Sequence, residues 1–421
     1  MNTRRAFLKQ ASILAVTSLL PSGLAKALSA RQVLQSDKFV LGVASGDATA
    51  DSVILWTYYE GFYPLKVCVW TEDRKGLWAD ATRTDGGYVQ MEIRGLSPFT
   101  RYRYAFSEMG FDGQPVAQST VGYFKTAPAA DSLVSIRFGA VSCVKYKFEP
   151  TILEEAAKQD LDFFIHNGDN AYNDGLVTLD EFRGGWSRTL QKKGYLELRR
   201  SMGMIATMDD HEISDDFDME RIDAAKYQAG RQSFFEHTPL RRNVAYPDRI
   251  WRKLSWGKTL DVFVLDCRTE RRPSQNQYIS QAQMDWLKSG LRESAAMFKI
   301  IMNSVPISEY PMWFLMRHDR WQGYPEQRTE ILEFIDSEQI QNLLWVSGDF
   351  HFTSYGRVST SGAGSTQMEV LAGPGAQNPN RLGEPLRAYS QFDWIHFKNS
   401  YITVNCDVDT QKMDVVPHLL D

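Results

Sequence analysis

Nine side chains that can ligate metal ions stand at the ends of predicted strands or on the loops after them. Thiolate, phenolate, imidazole and carboxylate groups all bind cations in proteins, and no packing requirement explains so many of them at strand ends. The sequence therefore predicts a site for two metal ions. Its candidate residues are Cys143, Asp169, Tyr172, Asp209, Asp210, His211, Glu212, Asp349 and His351.

Each of these signals is weak when taken alone. A Gly-Asp pair after a strand, such as Gly168 and Asp169, is often only a turn. A lone histidine is more often hydrogen-bonded than metal-bound, and paired aspartates can cap a helix. Cys143 and Cys267 both close predicted strands, so a disulfide between them is an alternative to a metal-bound thiolate. The occurrence of all the signals together favours the metal site.

Alternating strand-like and helical runs predict an α/β domain over residues 132–421. Strands are predicted at SIRFGAVSC, LDFFIHNGD, TLDVFVLDCR, FKIIMNSVPIS and NLLWVSGDFHF, and helices at EPTILEEAAKQ, SQAQMDWLKSGLRES and QRTEILEFIDSE. Open sheets of this class place their ligands at the carboxyl ends of the strands. We therefore expect the metal site along that edge.

Residues 36–127 contain short strand-like runs separated by Gly, Asp and Pro turn signals, with no amphipathic helix among them. This pattern predicts a small β-sandwich of the fibronectin or immunoglobulin type, with the run GLSPFTRYRYAF as its late strand-turn-strand. We expect this sandwich to be a structural flank of the α/β domain.

Residues 1–30 have the features of a twin-arginine export signal. Arg4 and Arg5 precede a short apolar run, SILAVTSLL, and the small-residue ends LAKA and ALSA suit a signal peptidase. A membrane anchor is the weaker alternative, because a bilayer needs about 20 apolar residues. The twin-arginine route exports folded proteins, so we expect the translocase as a partner, a cofactor inserted before export, and a periplasmic or extracellular location.

The composition is that of a globular protein, with 43% hydrophobic and 24% charged residues. Cleavage after residue 30 removes four basic residues and no acidic ones, so the net charge changes from −5 to −9. An acidic exterior repels nucleic acid and anionic membranes at long range. No nucleic-acid-binding surface and no stable membrane anchor are expected, and bound metal ions are the natural attraction for an anionic substrate.

Taken in order, the motifs resemble those of the metallophosphoesterase superfamily and, within it, the alkaline phosphatase D (PhoD) family. The runs VSC, NGDNAY, MDDHEISD, LDCRTERR, WQGYP and SGDFH follow one another in that family's order, and FVLGVASGDATADSVILWT resembles the opening of its N-terminal domain. The resemblance covers nearly the whole chain. It implies the layered α/β/β/α catalytic domain of that superfamily, and it extends to the purple acid phosphatases, in which a tyrosine ligates ferric iron.

The resemblance also implies a ligand set for each of two ions. The implied ligands of Fe³⁺ are Cys143, Asp169, Tyr172 and His351, and those of Ca²⁺ are Asp169, Asp210 and Asp349. Thiolate and phenolate stabilise a trivalent iron, whereas a carboxylate cluster suits calcium. Zinc and manganese are alternatives that the sequence leaves open.

The implied chemistry is hydrolysis by a metal-bound hydroxide. Two cations about 3.5 to 4 Å apart lower the pKa of a bound water and hold phosphate oxygens, so that the hydroxide attacks phosphorus in line with the leaving alcohol. His211 is implied as the residue that hydrogen-bonds the phosphoryl group or protonates the leaving oxygen, with Glu212 as its orienting partner. The alternative is that His211 has only a structural role, as the neighbour of a helix cap.

Four further residues are weaker candidates for substrate binding. Arg268 and Asn303 follow predicted strands and either bind phosphate, orient a metal ligand or lie on the surface. Trp321 and Tyr324, in the run WQGYP, either line the substrate pocket or pack in the core.

The chain departs from the family pattern at two places. Gln322 replaces the usual aspartate in WQGYP, and Asp215 and Asp216 follow the third motif where an asparagine is common. These departures leave the number of metal ions open.

We expect an exported metal-dependent hydrolase of phosphate esters, related to alkaline phosphatase D, that acts on small monoesters or diesters. A phospholipase D-like diesterase that acts on lipid head groups is the alternative within the class. A secreted, non-catalytic binding protein that contains metal is the alternative from another class.

Overall fold

The computed structural model describes residues 33–72, 76–311 and 317–420. The predicted export signal, residues 1–30, lies outside these ranges. Within them, no helix is long and apolar enough to cross a membrane.

The described chain forms 21 strands and six α-helices. The strands are β1 (Leu34–Gln35), β2 (Val43–Gly46), β3 (Ser52–Tyr58), β4 (Leu65–Trp70), β5 (Gly76–Ala81), β6 (Tyr88–Arg94), β7 (Arg101–Met109), β8 (Pro115–Gln118), β9 (Gly122–Lys125), β10 (Ile136–Val141), β11 (Phe163–Asn167), β12 (Gly203–Thr207), β13 (Arg252–Trp256), β14 (Leu260–Val264), β15 (Phe298–Met302), β16 (Leu343–Ser347), β17 (Thr353–Arg357), β18 (Met368–Leu371), β19 (Phe392–His396), β20 (Ser400–Asp407) and β21 (Lys412–Leu419). The helices are α1 (Thr151–Ala156), α2 (Leu179–Leu190), α3 (Lys193–Ser201), α4 (Ala224–His237), α5 (Gln281–Glu293) and α6 (Pro325–Ser337).

The strands form three sheets. The first has the order β1-β8-β7-β4-β5, with β9 also paired to β7; the second has the order β21-β20-β10-β11-β12-β2-β3-β6; and the third has the order β13-β14-β15-β16-β18-β17-β19. Strands β10, β11 and β12 are parallel neighbours, as are β14, β15 and β16. Their carboxyl ends therefore meet at one edge of the two-sheet core.

The second and third sheets pack face to face through a continuous apolar core. Phe138, Phe163 and Ile205 of the second sheet belong to the same buried cluster as Val262 and Ile300 of the third. Helices α1 to α4 cover the outer side of the second sheet, and α5 and α6 cover the outer side of the third. The predicted α/β/β/α layering is confirmed.

The predicted N-terminal sandwich is also present, but it is not closed on itself. The first sheet packs on β2, β3 and β6 through a buried cluster that includes Leu55, Val67 and Tyr104. Strand β2 also pairs in parallel with β12 at Gly46 and Met204. One sheet therefore runs from the sandwich into the α/β part. The predicted boundaries at residues 127 and 132 stay a prediction.

The helices begin where their capping residues dictate. Thr178 and Glu181 form a reciprocal capping box at the start of α2, and Asp223 and Ser280 cap α4 and α5 through their side chains. Helices α2 to α4 occupy a stretch for which the sequence predicted no element.

All four cysteines are buried free thiols. Cys267 donates its S–H to Asn303 Oδ1, at 2.9 Å. The alternative of a disulfide between Cys143 and Cys267 is therefore wrong for this structure.

Candidate metal centre

Four strand ends bring the predicted ligands together. Cys143, Asp169 and Asp349 each lie two residues beyond the last residue of β10, β11 and β16, and Asp209 lies two residues beyond β12. Because β10, β11 and β12 are parallel neighbours and β16 faces them from the third sheet, all four residues reach the same edge of the core. The edge is the one that the sequence predicted.

Four of the candidate ligands have a left-handed backbone. The φ angle is +58° at Cys143, +54° at Asp169, +70° at Asp349 and +54° at His351. Residues other than glycine rarely adopt this conformation, which costs on the order of 1–2 kcal/mol each and concentrates at functional sites.

Glycines beside these ligands allow the strand ends to approach closely. Gly168 has a φ of +95°, and a Cβ there would lie 2.6 Å from the Cβ of Asp209. A Cβ at Gly348 would lie 2.6 Å from the Cβ of Ser142. Both glycines therefore stand where a larger residue would push the ligand loops apart.

Among the described residues, three groups of side chains could each hold a cation, with the ligand atoms of each group within 4.8 Å of one another. The first, which we call the buried group, comprises Cys143, Asp169 and His351. The last, which we call the open group, comprises Asp210, Asp215 and Asp216. Asp169, Asp210 and His211 form the group between them, so Asp169 links to the buried group and Asp210 links to the open group.

Tyr172 closes the buried group. Its hydroxyl donates to Asp169 Oδ2 at 3.0 Å and lies 3.1 Å from His351 Nε2. Burial, followed by the charges of Asp169 and Cys143, raises the pKa of the Tyr172 phenol well above its usual value. Burial likewise raises the pKa of the Cys143 thiol. Without a cation, both side chains therefore hold their protons.

Three carboxylate oxygens of the site are buried without a hydrogen-bond partner among the described residues: Asp169 Oδ1, Asp209 Oδ2 and Asp210 Oδ1. A buried carboxylate oxygen left unpaired is costly, and native structures usually satisfy it by a donor, a water or an ion. Burial raises the pKa of Asp169 well above its usual value, a shift that a neighbouring cation reverses. The donor set and the unpaired oxygens thus fit metal binding.

Asp349 belongs to none of the three groups, although the sequence predicted that it binds the second ion together with Asp210. Its carboxylate is buried, and burial together with the charges of Asp319 and Asp209 raises its pKa well above the usual value. It therefore lies in the same electrostatic cluster, and its role as a ligand stays a prediction.

His211 lies beside the groups and is oriented by Asp174. Its Nδ1 is 2.8 Å from both carboxylate oxygens of Asp174, and its ring lies 4.1 Å from the ring of Tyr172, centroid to centroid. Burial alone would lower the pKa of His211, but Asp169, Asp210 and Asp174 raise it to about 11. The imidazole is therefore positioned and protonated as a donor would be.

The prediction that Glu212 orients His211 is wrong. One carboxylate oxygen of Glu212 accepts from the backbone N–H and the side-chain amide of Asn170, at 2.5 and 2.8 Å, and the other accepts from the N–H of Asp209 at 2.9 Å. Glu212 therefore ties the loop after β11 to the loop after β12. The side chain of residue 212 points away from its neighbour because adjacent residues in this turn face different loops.

Arg268 is fully buried and faces carboxylates. Its guanidinium donates to Asp209 Oδ1 at 2.6 Å, pairs with Asp319 and lies 3.6 Å from Asp210 Oδ1. Arg271 pairs with the same Asp319 at 2.8 Å. Of the alternatives open for Arg268, a surface position is wrong, and this geometry favours the orientation of aspartates over contact with phosphate.

The remaining weak candidates lie in the interior. Asn303 Oδ1 accepts from Cys267 and, at 3.2 Å, from Trp321 Nε1, so its surface alternative is also wrong. Trp321 and Tyr324 are buried in the core under α5 and α6, where Tyr324 donates to the His318 carbonyl. The packing alternative fits both aromatic rings better than a pocket wall.

Gln322 fills the position where the family pattern has an aspartate. Its side-chain amide accepts from the Tyr310 N–H and donates to the Tyr310 carbonyl, both at 3.1 Å. The side chain therefore anchors backbone in this chain.

Sequence reasoning missed Asp174 and Asp319. Asp174 ends the run HNGDNAYND, five residues after Asp169, and its acidic type beside a predicted site was an available signal. Asp319 stands in no motif, and only the tertiary structure brings it to Arg268. The site therefore includes residues that were not predicted but that contact predicted ones, Asp174 at His211 and Asp319 at Arg268.

Comparison with known proteins finds matches to both parts of the chain. Residues 138–391 match the family model of the PhoD-like phosphatases, and residues 23–128 match the model of the N-terminal domain of PhoD-like phosphatases. Alkaline phosphatase D of Bacillus subtilis (strain 168) is 26% identical over 424 residues, which cover 83% of this chain and 71% of that protein.

Two solved structures share the fold. A structure of PhoD superposes with a TM-score of 0.78 at 21% identity, covering 92% of this chain and 90% of the other. The purple acid phosphatase PPD1 from yellow lupin (Lupinus luteus) seeds superposes with a TM-score of 0.66 at 12% identity, covering 90% and 71%. Because the PhoD-like model matches more than half of the 421 residues, the chain belongs to the PhoD-like phosphatase family and is a phosphoester hydrolase.

Proposed function

We propose that the protein is an exported, metal-dependent phosphatase and phosphodiesterase whose centre holds two cations. The observation that supports this most directly is Asp169. It belongs both to the buried group and to the group formed with Asp210 and His211, and one of its oxygens is buried without a hydrogen-bond partner. A carboxylate with an unpaired oxygen between two ligand groups suits a bridge between two ions.

The two ligand groups differ in chemistry, and we assign the ions accordingly. Cys143, Asp169, His351 and Tyr172 suit Fe³⁺, because thiolate and phenolate stabilise a trivalent metal. Asp210, with Asp349 as a predicted further ligand, suits Ca²⁺, because hard cations prefer oxygen ligands. Asp215 and Asp216 add carboxylates on the same side. Zinc or manganese are the alternatives at either position.

When bound, such a pair of cations lowers the pKa of water and neutralises phosphate oxygens. The residues of the chain supply the rest. His211 carries the proton, and Asp174 fixes its ring, so that the imidazole donates to the phosphoryl group or to the leaving oxygen. Asp174 is itself held by the Asp215 N–H, at 2.9 Å. Arg268 keeps Asp209 and Asp210 in place from behind.

The substrate that we propose is a small phosphate monoester or diester. The support is membership of the PhoD-like phosphatases and similarity to a protein named alkaline phosphatase D. A phospholipase D-like activity on lipid head groups is the second candidate, and the presence of both ligand groups disfavours a non-catalytic binding protein.

Export remains part of the proposal. The paired arginines, the short apolar run and the small-residue cleavage sites support passage through the twin-arginine translocase to the periplasm or beyond. We also retain the division into a signal (1–30), a sandwich (36–127) and a catalytic part (132–421) as a proposal. Cell fractionation of wild type against Arg4→Lys/Arg5→Lys tests the export route, and retention of the double variant inside the cell is the expected result.

Elemental analysis and hydrolysis assays test the catalytic proposal. We expect protein purified after export to contain iron and calcium, to hydrolyse p-nitrophenyl phosphate and bis-p-nitrophenyl phosphate, and to lose both activities on chelation. Metal-free protein that hydrolyses both esters at an unchanged rate would refute the proposed mechanism. Protein that binds metal but cleaves neither ester would favour the binding protein.

A further inference from the structure

Lys145 stands beside the buried group, two residues after Cys143. The N–H of Lys145 donates to the Ala376 carbonyl at 2.8 Å, and the N–H of Val144 donates to the Asp169 carbonyl at 3.1 Å. Val144 also forms a β-bridge with Ala376. The backbone that carries Lys145 is therefore fixed between two other segments, one of which carries the central ligand Asp169.

The ammonium of Lys145 lies over the ring of Tyr172, 4.9 Å from its centroid. The hydroxyl of the same ring contacts Asp169 and His351. Only the Tyr172 ring therefore separates the ammonium from the side chains of the buried group. A half-buried cation thus sits next to the proposed metal ions.

Lys145 makes no ion pair and no side-chain hydrogen bond with any residue in the described ranges. This is unusual in a region so rich in carboxylates, where Arg268 alone has three aspartates around it. A cation–π contact holds an ammonium in place while leaving its N–H donors available. Those donors are available to an anion that enters the site.

We propose that Lys145 binds a non-bridging oxygen of the substrate's phosphoryl group and favours phosphomonoester dianions over phosphodiester monoanions. The inference rests on the proposed function. A monoester carries close to two negative charges above its second pKa of about 6, whereas a diester carries one. Because Coulomb attraction scales with charge, the ammonium stabilises the bound monoester more strongly than the bound diester.

The test compares three variants of the metal-loaded protein. Lys145→Gln removes the charge, Lys145→Arg keeps it, and Lys147→Gln is the matched control, because Lys147 is exposed and its removal changes the net charge by the same amount. We measure KM and kcat for p-nitrophenyl phosphate and bis-p-nitrophenyl phosphate. Titration calorimetry gives the affinity for inorganic phosphate.

For Lys145→Gln we expect the KM of the monoester to rise about 10- to 100-fold, as for the loss of a charged hydrogen bond. The KM of the diester should rise less than about threefold, with kcat little changed for both, because a uniform binding interaction is lost. Phosphate affinity should fall with the monoester KM. Lys145→Arg should stay within about threefold of wild type, and Lys147→Gln should match wild type.

Three outcomes overturn the inference. An equal loss for both esters, or a loss as large in Lys147→Gln, shows that Lys145 does not read the substrate's charge. An altered tyrosinate absorption with unchanged phosphate affinity assigns Lys145 to Tyr172 alone. If the proposed function fails, wild-type protein hydrolyses neither ester. If this inference alone fails, wild type and Lys145→Gln bind inorganic phosphate with equal affinity.

Discussion

The buried group and the open group lie at neighbouring strand ends but differ in their donor atoms and in the exposure of their outermost members. Cys143 and Asp169 are 0% and 1% exposed, while the Asp215 side chain is 71% exposed. The buried group mixes sulfur, nitrogen and oxygen donors, whereas the open group contains carboxylates alone. All three residues of the buried group have a left-handed backbone, and in the open group Asp216 has one.

This difference indicates that the two groups have different roles in ion binding and in access to substrate. An enclosed site with soft donors selects its ion and keeps it, because both the ligand types and the strained backbone are set by the surrounding fold. In the open group Asp210 is buried but Asp215 is exposed, so solvent and substrate can reach an ion bound there. His211, with 17% of its side chain exposed, lies at the boundary where substrate is expected.

The largest effect is expected from Asp169→Asn, which breaks both sides of the comparison at once. Asp169 is shared by the buried group and the group that includes Asp210, so both ions should be lost. Hydrolysis of p-nitrophenyl phosphate should fall by about 10³-fold or more, because metal ions supply several kcal/mol of transition-state stabilisation. Metal analysis of the purified variant checks the result. Asp160→Asn is the matched control, because it is the same substitution at a side chain that is 84% exposed and that pairs with Arg101 rather than with a site residue.

The boundary between the groups is tested by His211→Ala, which should lower kcat by about 10²- to 10⁴-fold while both metals remain bound.

Asp174→Asn should lower kcat by about 10- to 100-fold, because an orienting partner is lost. Glu212→Gln should instead lower the free energy of unfolding by about 1–3 kcal/mol through its buried hydrogen bonds. A pH profile of kcat that moves in the Glu212 variant and not in the Asp174 variant would reverse our assignment of the orienting residue.

Cys143→Ser should affect the buried group alone. The thiolate is the donor that favours iron, and its loss should remove that ion while the second ion stays bound. We expect activity to fall by about 10²-fold, equivalent to ~2.7 kcal/mol. Elemental analysis and the visible absorption of an iron–tyrosinate centre report the loss. Cys68→Ser, in the N-terminal sandwich, is the control, and retention of full iron content in Cys143→Ser would remove Cys143 from the ligand set.

The last effect concerns the stability of metal-free protein as a function of pH. The pKa of His211 is raised to about 11, above the unfolded value of 6.5. The folded chain therefore keeps a proton that the unfolded chain releases between these values. Stability from this source is complete below pH 6.5 and declines as the pH rises towards 11. Urea midpoints of chelated wild type should fall more steeply over this range than those of His211→Gln, and identical slopes would count against the charge on His211.

The sequence predicts which candidate residues come together because strand ends and local motifs determine their positions. Cys143, Asp169 and Asp210 lie in short runs whose order along the chain is informative, and parallel strands bring such runs to one edge. Orientation is harder to predict, since Asp174 rather than Glu212 faces His211 only through the path of two loops. The same limit applies to Asp319, which reaches Arg268 across 51 residues of sequence.

Fold prediction shows the same contrast between local and distant information. Alternation of residues identifies strands such as β10 and β11, and the layered class follows from their order. The pairing of Gly46 with Met204 has no signal in the local sequence, because a strand at the edge of a sheet and a strand inside it can have the same residue pattern. The sequence therefore indicates a separate sandwich, whereas the structure has one continuous eight-stranded sheet.

The second sheet also constrains when folding of the catalytic part can be completed during synthesis. Strand β10 pairs with β20, so that Ile136 lies opposite Cys406, and the sheet remains incomplete until the segment 400–407 has emerged from the ribosome. Until then β10 is an open edge, which is prone to pairing with other chains. Such distant pairing is slow to form. Folding of the catalytic core should therefore finish only after β20 has emerged, and premature termination before β20 should yield aggregates rather than a weakened enzyme.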